Sequence, residues 1–527
     1  MTVHAVRARA AVFAACAVLS IALPAHAQLS ASNLAIVQAG RALHAEGPPR
    51  TDFYDRVDVA WRGEGFAAGG RFEQDRSSDD SPSFGRLAAY SEVTQRWAEW
   101  RGPHASLRVG NFHTLLGRGL LHRSWELPGV VYDESGSLTR FAASRDLDGV
   151  IAHGSAGPFT AQAFGGRPNE AVVSPALENI GLERYRGMLQ GAQLESALPY
   201  GASAGAAWTR YTYGDAPAHE GASGFASADL LRAFATRGWS APAYFEYAQA
   251  DERASRWWQL RRGPESAHAM YGSLGVLWGA WTLNAEWKDY DHFRFGVNDP
   301  PSLVREHSAP LLNRRTHVLD AEGEAGFQIE ASAPLGAWGA LTANLSRSDA
   351  PPGLRPVRFE ERFVEARIAP PGSGAWDATV FVSRGFDGFD FVGDRTTRGI
   401  GLRRAWHGWE GSADVEWQHS VSAPFAGAGV PSTDRLIVLG LGRAKLGTAS
   451  VSVTRTDDPL DLPYDEFGVA TASHVTLVGV QCAAQLDDRH SLDLFLGRRR
   501  GGRACTSGTC YEVPSLDGAE LRWVARY

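Results

Sequence analysis

Long apolar runs are missing from most of this chain. After Gln28 no stretch offers 18 consecutive apolar residues, so no α-helix of the chain is long and apolar enough to cross a bilayer. Lysine is scarce: Lys288 and Lys445 are the only two among 52 basic residues, the rest being arginine. Methionine occurs 3 times and cysteine 4 times. Excess positive charge is missing too. The formal charge is −7, and −9 without Arg7 and Arg9. That balance argues against nucleic acid as a partner. The sequence also has no CxxCH haem motif, no glycine-rich phosphate loop and no HExxH zinc motif, so neither a cofactor nor a metal is expected.

What is present begins with an export signal. Arg7 and Arg9 form a short basic region, Ala10 to Leu23 is a compact apolar run ended by Pro24, and Ala25-His26-Ala27 is a small-x-small cleavage site. The expected organisation is a signal peptide over 1–27 and one large domain over 28–527. Glycine and aromatics are abundant, with 58 Gly, 17 Trp, 14 Tyr and 24 Phe. Glycine suits tight turns, and aromatics at that level suit the interfacial girdles of a membrane barrel.

The dominant pattern has period two. Trp409, Gly411, Ala413, Val415 and Trp417 alternate with Glu410, Ser412, Asp414, Glu416 and Gln418. Trp281, Leu283, Ala285 and Trp287 alternate with Thr282, Asn284, Glu286 and Lys288. Trp376, Ala378, Val380 and Val382 alternate with Asp377, Thr379, Phe381 and Ser383, and Val57, Val59 and Trp61 with Asp58, Ala60 and Arg62. Each segment has a lipid-compatible face bracketed by Trp and a wet face carrying charge. A soluble sandwich would bury its apolar faces in a packed core, where so many Trp would be unusual.

Short and long connections alternate. Short turns are expected at Gly63-Glu64, Gly102, Ala156-Gly157, Tyr200-Gly201, Arg237-Gly238, Gly279, Leu335-Gly336, Gly372-Ser373, His407-Gly408, Leu446-Gly447 and Asp487-Asp488. Between them run polar loops that include Ser77 to Gly85, Arg253 to Ala267, Phe293 to Arg314, Pro459 to Val469 and Arg499 to Pro514. Eleven turns join 22 strands, and a strand at each end makes 24, with boundary errors allowing 22 to 26. The expected fold class is therefore all-β: a single transmembrane antiparallel β-barrel with short periplasmic turns and long extracellular loops. Strand pattern starts by Leu29 or Phe53, which leaves no room for an N-terminal plug domain or a long periplasmic domain.

The last residues fit that class. Leu521, Trp523 and Tyr527 share one face with Ala519 and Ala525, while Glu520, Arg522 and Arg526 share the other. This resembles the C-terminal strand of bacterial outer-membrane barrels, in which a terminal aromatic helps the barrel-assembly machinery recognise its client. Tyr527 departs from the usual final Phe.

The stretch from Gly110-Asn111-Phe112-His113 to Asp148 is irregular and long, and long loops are often functional. It carries Arg118, Arg123, Arg140 and Arg145 beside Asp133, Glu134, Asp146 and Asp148. Two readings apply: a constriction folded into the lumen, with its charges (Arg118, Arg123, Arg140, Arg145, Asp146, Asp148) setting charge preference, or a solvated surface loop. Near the C-terminus, Gly497-Arg498-Arg499-Arg500-Gly501-Gly502-Arg503 precedes Cys505-Thr506-Ser507-Gly508-Thr509-Cys510. In an exported chain that cysteine spacing predicts a local disulfide between Cys505 and Cys510. Cys482 is expected to be inert packing. The arginines are read as a solvated loop tip in preference to a site for lipopolysaccharide phosphates, and Asp457, Asp458, Asp461, Asp465 and Glu466 as an acidic surface loop in preference to a calcium site. Through these two stretches the chain resembles an uncharacterised family of large bacterial outer-membrane β-barrel (porin-like) proteins. That resemblance implies a barrel but no substrate.

His113, His122, Ser124 and Asp133 supply the residue types of a hydrolase, yet their spacing matches no outer-membrane enzyme, and no enzyme is expected. The expected function is passive or facilitated passage of a solute across the outer membrane of a Gram-negative-type bacterium, with Asp58, Glu286, Lys288, Asp377, Asp414 and Glu416 lining the lumen. The alternative is a non-conducting barrel that sheathes a secretion, surface-attachment or electron-transfer partner. Expected partners are outer-membrane lipid and lipopolysaccharide, the assembly machinery, and, for the sheath, a periplasmic or surface protein.

Overall fold

A computed structural model describes residues 28–527 except 44–48, 78–89, 127–129, 132–137, 140–143, 170–186, 213–217, 233–237, 252–266, 294–297, 315–316, 318–322, 351–356, 373–375, 389–391, 423–428, 465–469, 507–508 and 514. The expected signal peptide, Arg140, Asp133 and Glu134 lie outside the described residues.

The chain forms one closed antiparallel barrel of 24 strands. Each wall strand pairs with the next in sequence, and the first, Gln28–Arg41, closes the ring against the last, Leu516–Arg526, from Ser32↔Arg526 to Arg41↔Asp517. One wall strand is interrupted at Ala241, between Trp239–Ser240 and Pro242–Asp251, and both pieces pair with Ala267–Trp278. Closure removes every sheet edge, so each wall strand has a partner on both sides and no row of unpaired backbone groups meets lipid. Nine of the eleven expected short turns fall, among the described residues, between neighbouring strands, and Arg237 and Ser373 of the other two lie outside the described residues. The tightest explain themselves locally. In Trp406-His407-Gly408-Trp409 both central residues have positive φ, 47° and 79°, the geometry that matches the twist of a two-residue hairpin.

The alternation sets the two faces. Val93, Val380, Val382, Ile437, Leu439 and Leu441 point out and are exposed, as a lipid-facing wall requires. Trp100, Trp278, Trp281, Trp338, Trp376 and Trp406 are exposed beside the short turns and form an aromatic girdle at that rim. Trp239, Trp278 and Trp281 stack along it, with centroids 5.0 and 6.5 Å apart. An apolar belt, a girdle and closed strands are the features of a Gram-negative outer-membrane barrel, which is where this chain resides. Leu521, Trp523 and Tyr527 lie on the outer face as the terminal pattern predicts. Cys482 corrects an expectation: it is exposed rather than packed, because it shares a register position with the outward Ala449.

Candidate lumenal constriction

The largest buried apolar cluster lies inside the barrel. Leu116, Leu120 and Leu121, from the irregular stretch, are fully buried against the inward-facing Phe164, Leu189, Ala207, Tyr211, Ala248 and Tyr271. The stretch therefore folds into the lumen. Its local geometry follows from two glycines. Gly117 and Gly119 have φ of 53° and 95°, and a Cβ on Gly117 would meet the Glu246 carboxylate at 2.2 Å. The bare backbone lets the turn press onto the wall, where the Gly117 N–H donates to Gln193 Oε1 at 2.9 Å and the Arg118 N–H to Glu246 Oε2 at 2.8 Å. Farther along, Glu126 accepts from the wall residue Arg71 at 2.6 Å.

A second inner segment comes from the long loop after Trp281–Asp291. The sequence reads it as a polar surface loop. It turns inward because Leu303, Leu311 and Leu312 need cover. The short helix Pro310–Asn313 sits on the wall: the Leu311 N–H donates to Glu416 at 3.0 Å, and Gln418 donates to the Leu311 carbonyl at 3.1 Å. His307 meets Glu361 at 2.9 Å, and Arg395 reaches the same carboxylate at 2.6 Å. Lys288 is 0% exposed and bonds Ser302 O at 2.6 Å and the buried Glu324. His317 contacts both Glu324 and Asp387 at 3.1 Å. Burial opposes its charge, but the hydrogen bonds and charges of Asp387 and Glu324 outweigh it and push the imidazole up to about 9. The two segments also join each other. The Asp299 N–H donates to Gly119 O at 3.3 Å, and Arg123 pairs with Asp299 at 3.2 Å.

A third segment follows Arg499. Arg499 is buried on Glu520 at 2.6 Å. Arg500 is buried among Asp434 at 3.0 Å, Asp458 at 2.9 Å and Asp461. Burial opposes the Arg500 charge, but the three carboxylates prevail and raise its pKa above the usual arginine value. This corrects two expectations. Arg499 and Arg500 are not a solvated tip, and Asp458 and Asp461 are not a surface acidic loop, because Arg500 cancels charge with both aspartates inside the barrel and Arg499 with Glu520. The paired strands Gly502–Thr506 and Thr509–Val513 set Cys505 opposite Cys510, and the first lies beside Val130–Val131 and the helix Pro310–Asn313. Their side chains are outside the described residues.

The expected constriction residues separate. The Arg118 side chain is exposed in the lumen, with its guanidinium 5.0 Å from the Tyr244 ring centroid. Arg123 is half-buried in its pair with Asp299. Arg145 is buried and donates to Asn298 O at 3.2 Å, and Asp146 is buried and accepts from Asn111 at 2.6 Å. These two tie segments together and present no charge to the lumen. Asp148 belongs to the strand Leu147–Ala156 and shares a face with the exposed Val150, so it points outward, 4.0 Å from both Arg96 and Arg167.

All six expected lumen residues face inward, with different exposure. Asp58 pairs with Arg56 at 3.1 Å and Arg71 at 2.6 Å, and Glu286 accepts from the Tyr271 hydroxyl. Lys288 and Glu416 are covered by the second segment and so do not line open space. Asp377 and Asp414 are half-exposed. Asp414 helps line a cavity of about 970 Å³ at the short-turn end, with Arg403, Ser412, Ser450, Gln481 and Asp493. His122 and Ser124 do meet, at 2.8 Å, but Ser124 Oγ also takes the Thr114 N–H, and His122 is buried in the turn. The sequence reading missed Glu246, Glu324, Glu361 and Asp434. The available signal was a charge at an inward position of an otherwise regular strand.

No protein-family model and no curated protein matches the chain. Among solved structures it is similar to the translocation pore of the P pilus usher PapC, at 9% identity and a TM-score of 0.45, over 95% of this chain and 99% of that one. It is similar to OpdO of Pseudomonas aeruginosa at 11% identity and a TM-score of 0.43, over 76% and 99%. It is also similar to the siderophore receptor PirA of the same organism at 8% identity and a TM-score of 0.41, over 96% and 81%.

Proposed function

We propose that this chain is an outer-membrane channel of porin type for a small polar solute. Its long-loop half is narrowed by three inner segments, and its short-turn half opens as a polar vestibule. The observation that carries the reading is the exposed Arg118 guanidinium, held over Tyr244 by a backbone anchored to Glu246. It is exposed beside the inner segments, and the short-turn end holds a polar cavity lined by Arg403, Asp414 and Asp493. A fixed charge at a constriction sets ion preference. The three segments touch one another inside the ring, occupying space a threaded partner would need, which favours a channel over a sheath. Assembly through the terminal Leu521, Trp523 and Tyr527 and a Cys505–Cys510 disulfide belong to the same proposal. So does the absence of enzymatic activity.

Single-channel recording in a planar bilayer tests it. The expected result is discrete steps whose anion preference falls in Arg118→Glu, and whose conductance rises on deleting 118–140. Folded barrels that stay silent, or an unchanged ion preference in Arg118→Glu, would overturn it.

A further inference from the structure

The outer face of the strands from Gly339–Asp349 to Gly447–Thr456 repeats one design. Each carries a short outward apolar run, such as Ile437, Leu439 and Leu441, and the next outward residue towards the long loops is basic or aromatic. On six of these seven strands it is arginine: Arg347, Arg362, Arg384, Arg398, Arg435 and Arg455. On the seventh it is Trp417. The flanking strands break the series with Phe327 and Thr476 at the corresponding positions.

Register brings these side chains together. Arg362 stands directly opposite Arg384, and Arg435 directly opposite Arg455. Arg398 and Arg435 flank Trp417 on its two sides, and the Arg398 guanidinium lies 4.6 Å from the Trp417 ring centroid. Like charges directly opposite each other repel and cost stability unless something between them carries the opposite sign. Arg347 has Asp349 at 2.9 Å, Arg362 has Glu360 at 2.6 Å, and Arg384 has Asp394 at 3.6 Å. Among the described residues Arg398, Arg435 and Arg455 form no ion pair. Asp457, near Arg455, accepts from the Thr433 backbone instead.

The row stands just above the apolar belt, opposite the Trp girdle at the short-turn rim. In the orientation of the proposed channel, on which this step rests, that height is the headgroup level of the outer leaflet. We infer that the arginine row over 339–456 is a docking surface for the phosphates of an outer-leaflet phosphoglycolipid, the diphosphorylated glucosamine lipid of lipopolysaccharide. Guanidinium groups bind phosphate bidentately, and their stems lie along the apolar wall while the heads reach the interface. Acyl chains would cover the Ile437–Leu441 run below.

The test uses the folded full-length barrel in phosphatidylcholine nanodiscs, titrated with that diphosphorylated lipid and read by native mass spectrometry. The triple variant R398Q/R435Q/R455Q should weaken binding by about 10- to 100-fold. The control R96Q/R167Q, which alters two outward arginines that share the Asp148 carboxylate at 4.0 Å and lie outside the row, should change it far less. Barrel circular dichroism and heat-dependent gel mobility establish folding of both. Equal binding by the triple variant, or equal affinity for phosphatidylglycerol, would overturn the inference. Conduction is not a readout here, so a silent channel leaves this test intact.

Discussion

Two of the inner segments reach the same lumen by different chemistry. Residues 114–126 are seated by apolar contact, with Leu116, Leu120 and Leu121 in one cluster with the wall. Their polar ties are mostly backbone N–H groups held by Gln193 and Glu246. Residues 298–314 and His317 share that apolar seating, through Leu303, Leu311 and Leu312, but add buried charge to it. Lys288, Glu324, His317 and Asp387 form one buried chain, and His307, Glu361 and Arg395 form another. Apolar seating is indifferent to protons and costs little to restore. Buried ion pairs are costly to break singly and respond to pH. The first segment is thus built as a fixed lining and the second as a part that can be released.

The largest test of that contrast removes a carboxylate from the second segment's seat. Glu361→Ala takes away the charge that His307 and Arg395 share, at a cost of about 3–5 kcal/mol. Limited proteolysis should then cut within 298–317 while 114–126 stays protected. Equal cutting in both would break the comparison. Next is Leu121→Ala, which opens a cavity in the apolar cluster and costs about 2–5 kcal/mol. Conductance should rise, with no change in its pH dependence. Smaller still is Glu246→Ala, which deprives the Arg118 N–H and the Tyr244 hydroxyl of their acceptor at about 1–3 kcal/mol. Its expected mark is added flicker in open-channel current.

The last test is graded and needs no mutation. His317 has its pKa raised from 6.5 to about 9. Its contribution to seating is fully present below about 6.5 and is lost as pH rises through about 9. Hydrogen exchange, corrected for intrinsic rate, should speed up in 298–317 between neutral and alkaline pH and hold steady in 114–126. His317→Gln should abolish the difference.

The wall was legible because its code is local. Trp-bracketed alternation gives strand, face and rim together, and a turn such as His407-Gly408 is specified by two residues. The lumen was harder to read because its contacts are remote. Arg500 meets Asp434 across 66 residues and His317 meets Asp387 across 70. Leu120 and Leu121 in a loop carry no period that says which surface they cover. Asp148 was misplaced by a boundary alone: one residue of strand register decides whether a side chain faces lipid or lumen.

The scarcity of lysine has a practical consequence. Lys445 stands exposed in a short turn, whereas Lys288 is sealed beneath the second inner segment. An amine-acylating reagent applied to the folded protein should therefore modify Lys445 and the chain's amino terminus and spare Lys288. Acylation of Lys288 then requires the segment to lift, so the rate of that one added mass measures how often the barrel opens from within.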